Sequence, residues 1–433
     1  MSAQPAPRPA TSPLPAPGRV APGRGADRAR VYLDHAASAP LRPQVAQQVA
    51  QDLASGLGGW ASPSAQHSSG RRVSALLAEA RARIATALGA DPHEVLLTSG
   101  GSEADSLAVI GRVLAARAAG ARRPQVVVSA VEHPAVADSA RTAQALGADL
   151  TVVGVDQVGR VDPARVAAVV EPGRTAVVSV MAANNETGLV QDVAGIVSAV
   201  RRVSGAARRG TPQWVPVHTD AVAAVGHLPV AFSAWDVDAM SLSGHKLGAP
   251  VGVGALVLRR EVALVPAAGG GRQERGIRSG TQDVVGARAL ALALELAVAE
   301  QEVEAARLEA LRARLLAGAT AMPGVRPTLP DDAPHLPGTA HLTCQGTDSE
   351  ALLMDLDLAG IDASAGSACH AGVTQPSTVM LAMGHDEAAA RSTLRCTMGH
   401  GTTVTDVDRL LAALPHALEV ARRARELRPR GIG

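Results

Sequence analysis

"SLSGHKLGAP", residues 241–250, follows the apolar run "VDAM" (237–240) and puts a lysine directly behind a histidine in a small, glycine-flanked turn. A lone loop lysine is ordinarily a solvated surface charge, so its meaning depends on what surrounds it. "VDAMSLSG" is short and mostly apolar, as a strand buried on both faces should be. Similar runs precede it: "EVLLTSG", "QVVVSA", "LTVVGV", "TAVVSVMAAN" and "WVPVHTDA". Ala/Leu/Arg stretches of helical pattern separate most of them, and three end on a glycine, at Gly89, Gly120 and Gly147. This alternation predicts an α/β fold with a mostly parallel, doubly wound sheet.

At 433 residues, 47% of them hydrophobic, the chain is long enough for one large domain and a smaller companion. Residues 1–30, rich in Pro, Ala and Arg and without a continuous apolar segment, are expected to be a disordered tail. Residues 31–285 are expected to make the large domain, with the first of them able to pack on the small one. From 286 to 433 the chain is expected to form an interdomain helix and a small α+β domain. The helix is the amphipathic run 284–319, followed by a loop, "PGVRPTLPDDAPHLPG" (323–338). A net charge of +1, no basic run in the folded part and 1% aromatic residues argue against a nucleic-acid surface. No apolar stretch reaches membrane-spanning length. Cys344, Cys369 and Cys396 show neither metal-pair nor disulfide spacing, which predicts a reducing, cytoplasmic setting and no resident metal.

Chemistry in an open α/β sheet belongs at the carboxyl ends of the strands. "LLTSGGSEADSL" runs through two glycines into a helix, so Gly101 and Ser102 offer an anion backbone N–H groups and a hydroxyl. His133 follows the second strand, Asn184, Asn185 and Glu186 another, and Asp220 ends "WVPVHTDA", where a carboxylate needs a cation or donors. Ser243, His245 and Lys246 follow the next. A lysine for a Schiff base, a carboxylate for a pyridine nitrogen and an anion-binding helix end are the parts pyridoxal phosphate requires.

With these residues in order, the chain resembles the cysteine desulfurases of the class V aminotransferase group, of the NifS/IscS-like kind and fold type I. The resemblance runs from "YLDHAAS" at residue 32 to the last helix, and "SGHK", "ERGIRSGT", "SAGSACHAG" and "TLRCTMG" carry most of it. It implies that Lys246 holds the coenzyme, Asp220 bonds its ring nitrogen and His133 stacks on the ring. Gly101, Ser102, Ser243 and His245 would form the phosphate cradle. Asn185 would lie beside the ring hydroxyl and substrate, and Arg395 would grip the carboxylate of L-cysteine. Thr281 would complete the site of the neighbouring subunit in a homodimer. Cys369, on a loop resembling the longer-loop branch, would take the sulfur as a persulfide, leaving alanine. It would then pass the sulfur to an iron–sulfur scaffold or sulfur-carrier protein, with transient contact to a nascent cluster.

Some positions depart from the family's pattern. Ala223 stands for a glutamine that bonds the ring hydroxyl, a loss expected to cost about 1 kcal/mol of coenzyme binding. Ser62 and Ser106 stand for asparagines, Ser102 for a threonine and Thr378 for a histidine. Two other readings compete. One is a selenocysteine lyase or another class V enzyme, although "SAGSAC" argues against a plain aminotransferase. The other is a degenerate sulfur-carrier or scaffold-binding partner, favoured by Ala223 and the scarce aromatics. A nucleotide site at "AAGGGRQERG" lacks the lysine and strand-to-helix setting of a phosphate loop.

Overall fold

The computed structural model describes residues 30–427 except Gly58, Trp60, 367–368 and 371–372, and only the backbone of 369–370 and 373–374. The expected tail lies outside the described residues apart from Arg30, whose guanidinium bonds Asp357 and Asp362.

After β1 (Val31–Tyr32) the chain builds its main sheet from β2 (Val95–Thr98), β3 (Gln125–Ser129), β4 (Asp149–Val153), β5 (Thr175–Ser179), β6 (Val217–Asp220), β7 (Ala239–Ser243) and β8 (Gly254–Leu258). The order is β2-β8-β7-β6-β5-β3-β4; β8 is antiparallel to both neighbours, and the other pairings are parallel. Every residue of β2, β3 and β5–β8 is buried, because helices cover both faces; only the edge strand β4 is partly exposed. The α/β reading of the sequence holds. It did not include β8, which begins on Gly254 after a stretch too short for a crossover helix and therefore returns antiparallel. Since β8 reverses direction twice, β2 runs in the same sense as β7, and the carboxyl ends of β2, β3, β5, β6 and β7 share one edge.

The helices Ser68–Leu88, Gly101–Ala118 and Pro134–Ala145 stop just before the three glycines. Gly89 takes the left-handed conformation (φ 64°), in which its N–H bonds back to the last turn. The helix Val284–Thr320 joins two apolar cores. Its first half packs with Val178, Met240, Leu242 and Val257 of the sheet. Its second half, through Leu308, Leu311 and Leu315, packs with Val31, Leu33, Leu342, Leu394 and Leu410.

The second core lies around an antiparallel sheet of β9 (Val325–Pro327), β10 (Thr339–Cys344) and β14 (Thr393–Thr397), in the order β14-β10-β9. β9 falls inside the expected loop 323–338: pairing with Leu342–Cys344 overrides the turn-like composition. Between β10 and β14 run the helix Ser349–Leu358, β11 (Ile361–Asp362), parallel to β1, and the short hairpin of β12 (Cys369–His370) and β13 (Val373–Thr374). The closing helix is Val404–Leu427. Cys344 and Cys396 are buried in this core, and burial pushes the Cys344 thiol up to about 12 and Cys396 higher, as befits inert packing residues. Among the described residues no helix is long and apolar enough to cross a membrane.

Candidate active site

The shared strand edge opens into a cavity of about 780 Å³, a small-molecule dimension. At the end of β2 the helix Gly101–Ala118 begins, and its unpaired N–H groups and positive dipole end meet the cavity at Gly101 and Ser102. Gly100 has φ 154°, and a Cβ on Gly101 would stand 2.7 Å from Val222 Cγ2, so only glycine permits this turn. Ser243 closes the corner: its Oγ lies 3.8 Å from the Cβ position of Gly100. His245, half-buried, lines the same cavity, with Nδ1 3.3 Å from Ser38 Oγ.

Lys246 ends a single 3₁₀ turn, Gly244–Lys246. Its Nζ donates to the carbonyl of Ala36 and, at 2.9 Å, to that of Ala37. Burial, then Arg395, lowers its pKa to about 8 against the pull of Asp34 and Asp220. A substantial fraction of the amine is therefore neutral near physiological pH, the form that attacks a carbonyl carbon. His133 caps the helix Pro134–Ala145; Nδ1 accepts from Ala135 N at 3.1 Å, which assigns the proton of the neutral ring to Nε2. Burial holds its pKa below the ordinary histidine value, while Asp220 pulls the other way. Asp220 Oδ1 accepts from Val222 N at 2.9 Å. Burial raises its pKa, opposed by His133, the Val222 N–H and Lys246.

The opposite wall comes from the second core. Arg395 of β14 is buried; Nη1 donates to the Asn185 carbonyl at 2.9 Å and Nη2 to Asp34 Oδ1 at 2.8 Å, while Nε has no partner among the described residues. Asn185 lines the cavity. Asn184 does not: its Oδ1 accepts from Glu186 N and Thr187 N and its Nδ2 donates to the Val131 carbonyl, so turn chemistry accounts for it. Glu186 Oε2 accepts from Ser377 Oγ at 2.5 Å, and burial lifts its pKa to about 7.

Thr281 is exposed on the loop before the long helix and lies outside its own chain's cavity. The Cys369 side chain lies outside the described residues, but the segment carrying it is flanked by fixed points. Upstream, Ser364 pairs with Arg395 through N→O distances of 3.1 and 2.6 Å; downstream, Ser377 bonds Glu186. Ala223 and Thr378 line the cavity; Ser106 Oγ instead meets Ser139 Oγ at 2.9 Å, and exposed Ser62 is not among its lining residues. Four carboxyls went unread as site residues in the sequence: Asp34, Asp105, Glu132 and Asp138. Glu132, adjacent to His133, was the most legible. Its Oε1 accepts from Met181 N at 3.0 Å and from Ser129 Oγ, and burial lifts its pKa to about 8.

That shift has a sign. An unfolded glutamate releases its proton near its ordinary value of 4.5, whereas folded Glu132 keeps it to about 8. Its contribution to stability is complete below the lower value and lost as pH rises through the upper one. Glu132→Gln, which preserves the accepting oxygen, is expected to gain Tm relative to the wild type between about pH 5 and pH 8.5, at roughly 2–4 °C per kcal/mol. Thermal melts of both proteins across that range test it.

A phosphate-receptive helix end, a partly neutral lysine and a buried carboxylate within one cavity are the donor set that pyridoxal phosphate needs, and the Cβ-free approach at Gly101 leaves room for its phosphate. The family model described as "Aminotransferase class-V" matches residues 31–410. This chain belongs to that family. As a class V aminotransferase family member it is a pyridoxal-phosphate enzyme, and its relatives place it among the cysteine desulfurases. It is 44% identical to an IscS-like cysteine desulfurase of Mycobacterium tuberculosis over 91% of this chain and 97% of that one. Among solved structures, a NifS-like protein superposes with a TM-score of 0.80 at 29% identity, covering 90% of this chain and 99% of the other. A structure titled SspA in complex with cysteine gives 0.71 at 28% identity, covering 86% and 99%.

Proposed function

We propose that this family member desulfurates L-cysteine to L-alanine, holding the sulfur on Cys369 before passing it to an acceptor protein. One observation carries the reading. The Lys246–Asp220 cavity is closed by Arg395, whose strand is also paired, through Ser364, to the root of the segment bearing Cys369. Substrate carboxylate recognition and the sulfur-accepting thiol are thereby built on one frame.

Pyridoxal phosphate, when bound, supplies the electron sink that makes the substrate's carbon–hydrogen and carbon–sulfur bonds breakable. Gly101, Ser102, Ser243 and His245 would receive its phosphate, Asp220 would pair with its ring nitrogen, and His133 and Asn185 would lie along the ring; all seven line the cavity. The Lys246 amine binds the coenzyme and afterwards takes the substrate's α-proton. The Arg395 fork turns from Asp34 and Asn185 to the substrate carboxylate. Cys369, as thiolate, attacks the substrate sulfur: a sulfur–sulfur bond forms and the carbon–sulfur bond breaks. Its electron pair remains with the carbon that becomes alanine's methyl group after protonation, so no outside oxidant is needed.

Thr281, exposed and away from its own cavity, suits a residue serving a second subunit in a homodimer. The acceptor is proposed to be an iron–sulfur scaffold or sulfur-carrier protein, and the compartment the cytoplasm. Incubating the coenzyme-loaded protein with L-cysteine and a thiol reductant is expected to release alanine and sulfide in equal amounts; no alanine would refute the reading. Arg395→Lys keeps the charge but loses the fork. It is expected to raise KM for cysteine about tenfold with a smaller change in kcat, the scale of one charged hydrogen bond.

A further inference from the structure

Asp105, in the first turns of the helix Gly101–Ala118, is 1% exposed and lines the coenzyme cavity. Its Oδ1 has no hydrogen-bond partner among the described residues. One carboxylate oxygen each of Asp105 and Asp220 and one ring nitrogen of His133 all lie within 4.8 Å of one another. Two carboxyls this close in a buried site do not both ionise. The surroundings decide which one does.

From β6, Asp105 faces Asp220 itself and His218, whose Nε2 is 3.6 Å away. From β7 it faces the Ser241 hydroxyl, and from the segment after β3 Glu132 and His133. His218 is no cation: Nδ1 engages Ser179 Oγ and Nε2 engages Ser241 Oγ, both at 2.8 Å, and burial lowers its pKa to about 3. Asp105 therefore has the Asp220 carboxylate as its neighbour and no fixed positive charge, since buried Glu132 keeps its own proton to about pH 8. Asp220 has the Val222 N–H, His133 and Lys246. Burial, followed by repulsion from Asp220, raises the pKa of Asp105 well above the ordinary carboxyl value.

We propose that Asp105 is a positioning residue for the coenzyme, a neutral carboxylic acid beside Asp220 that leaves Asp220 the single anion facing the pyridine nitrogen. The inference rests on the assignment of Asp220 to that nitrogen. A neutral acid supplies a donor toward the Asp220 carboxylate without adding charge, and asparagine reproduces both properties in nearly the same volume. Alanine reproduces neither.

The test is pyridoxal-phosphate affinity of the apoprotein, measured by fluorescence titration, with the infrared carboxylic-acid carbonyl band as an independent readout. Asp105→Asn is expected to bind the coenzyme within about twofold of wild type and to lose one protonated-carboxyl band. Asp105→Ala is expected to bind roughly fivefold more weakly, the scale of one lost hydrogen bond. A folded Asp105→Asn protein with tenfold weaker binding, or with the wild-type band intact, would overturn the proposal, because Asp105 would then act as an anion. Wild-type affinity in a folded Asp105→Ala protein would overturn it as well. Asp220→Asn separates the two levels: wild-type affinity in that variant refutes the Asp220 assignment itself. Weakened binding there, together with either overturning result at Asp105, refutes only the present inference.

Discussion

Persulfide formation is expected to vanish in Cys369→Ala, and alanine release from L-cysteine to fall by at least about 10³-fold, since a variant lacking the nucleophile has nothing to take the sulfur. Coenzyme binding is expected to be unaffected, because Cys369 is not among the residues proposed to contact the phosphate or ring. That contrast makes the result specific. Mass analysis of the protein after brief exposure to cysteine should show one added sulfur atom on wild type and none on the variant. Cys344 and Cys396 cannot substitute: both are buried in the second core with thiol pKa values pushed far up, so neither supplies a thiolate. Full desulfuration by Cys369→Ala would sink the sulfur-transfer mechanism while leaving the coenzyme site standing.

Lys246→Ala is expected to abolish the yellow colour that a lysine-bound coenzyme gives and to lower turnover about 10²–10⁴-fold or more, the range associated with losing a positioned acid–base group. Lys246→Arg keeps a charge but not a neutral amine, and is expected to be equally inactive. In the wild type, activity limited by the free lysine should rise with pH toward about 8, because burial and Arg395 lower the pKa of the amine to that region. The deprotonated fraction grows as pH approaches that value and levels off above it. A colour and a rate that both survive in Lys246→Ala would remove the lysine from the mechanism.

The sequence was most readable where local physics suffices. Buried strands announce themselves by short apolar runs, and helix ends by glycine, so β2, β3 and β5–β7 and the stops near Gly89, Gly120 and Gly147 stood in the chain before any tertiary contact was known. β8 and β9 were harder. Both form because a neighbouring strand offers a hydrogen-bonding edge, which composition does not reveal. The strand-end rule located Gly101, His133, Asp220 and Lys246 for a related reason: in a parallel sheet, chain direction alone puts these loops on one edge.

What the amino-acid order determined by itself was the α/β architecture, the lysine turn "SLSGHKLGAP" and the set of polar residues at strand ends. Tertiary structure alone decided their chemical environment. The Ala36 and Ala37 carbonyls that hold Lys246 lie about two hundred residues upstream of it, and Arg395 meets Asp34 across a separation of 361 residues. Asp105 reads in sequence as an unremarkable helical aspartate. Packing its helix against β6 and β7 brings it beside Asp220 and removes the water that would have screened the two charges. Coulomb repulsion and desolvation depend on distance through space, and no spacing along the chain encodes that distance.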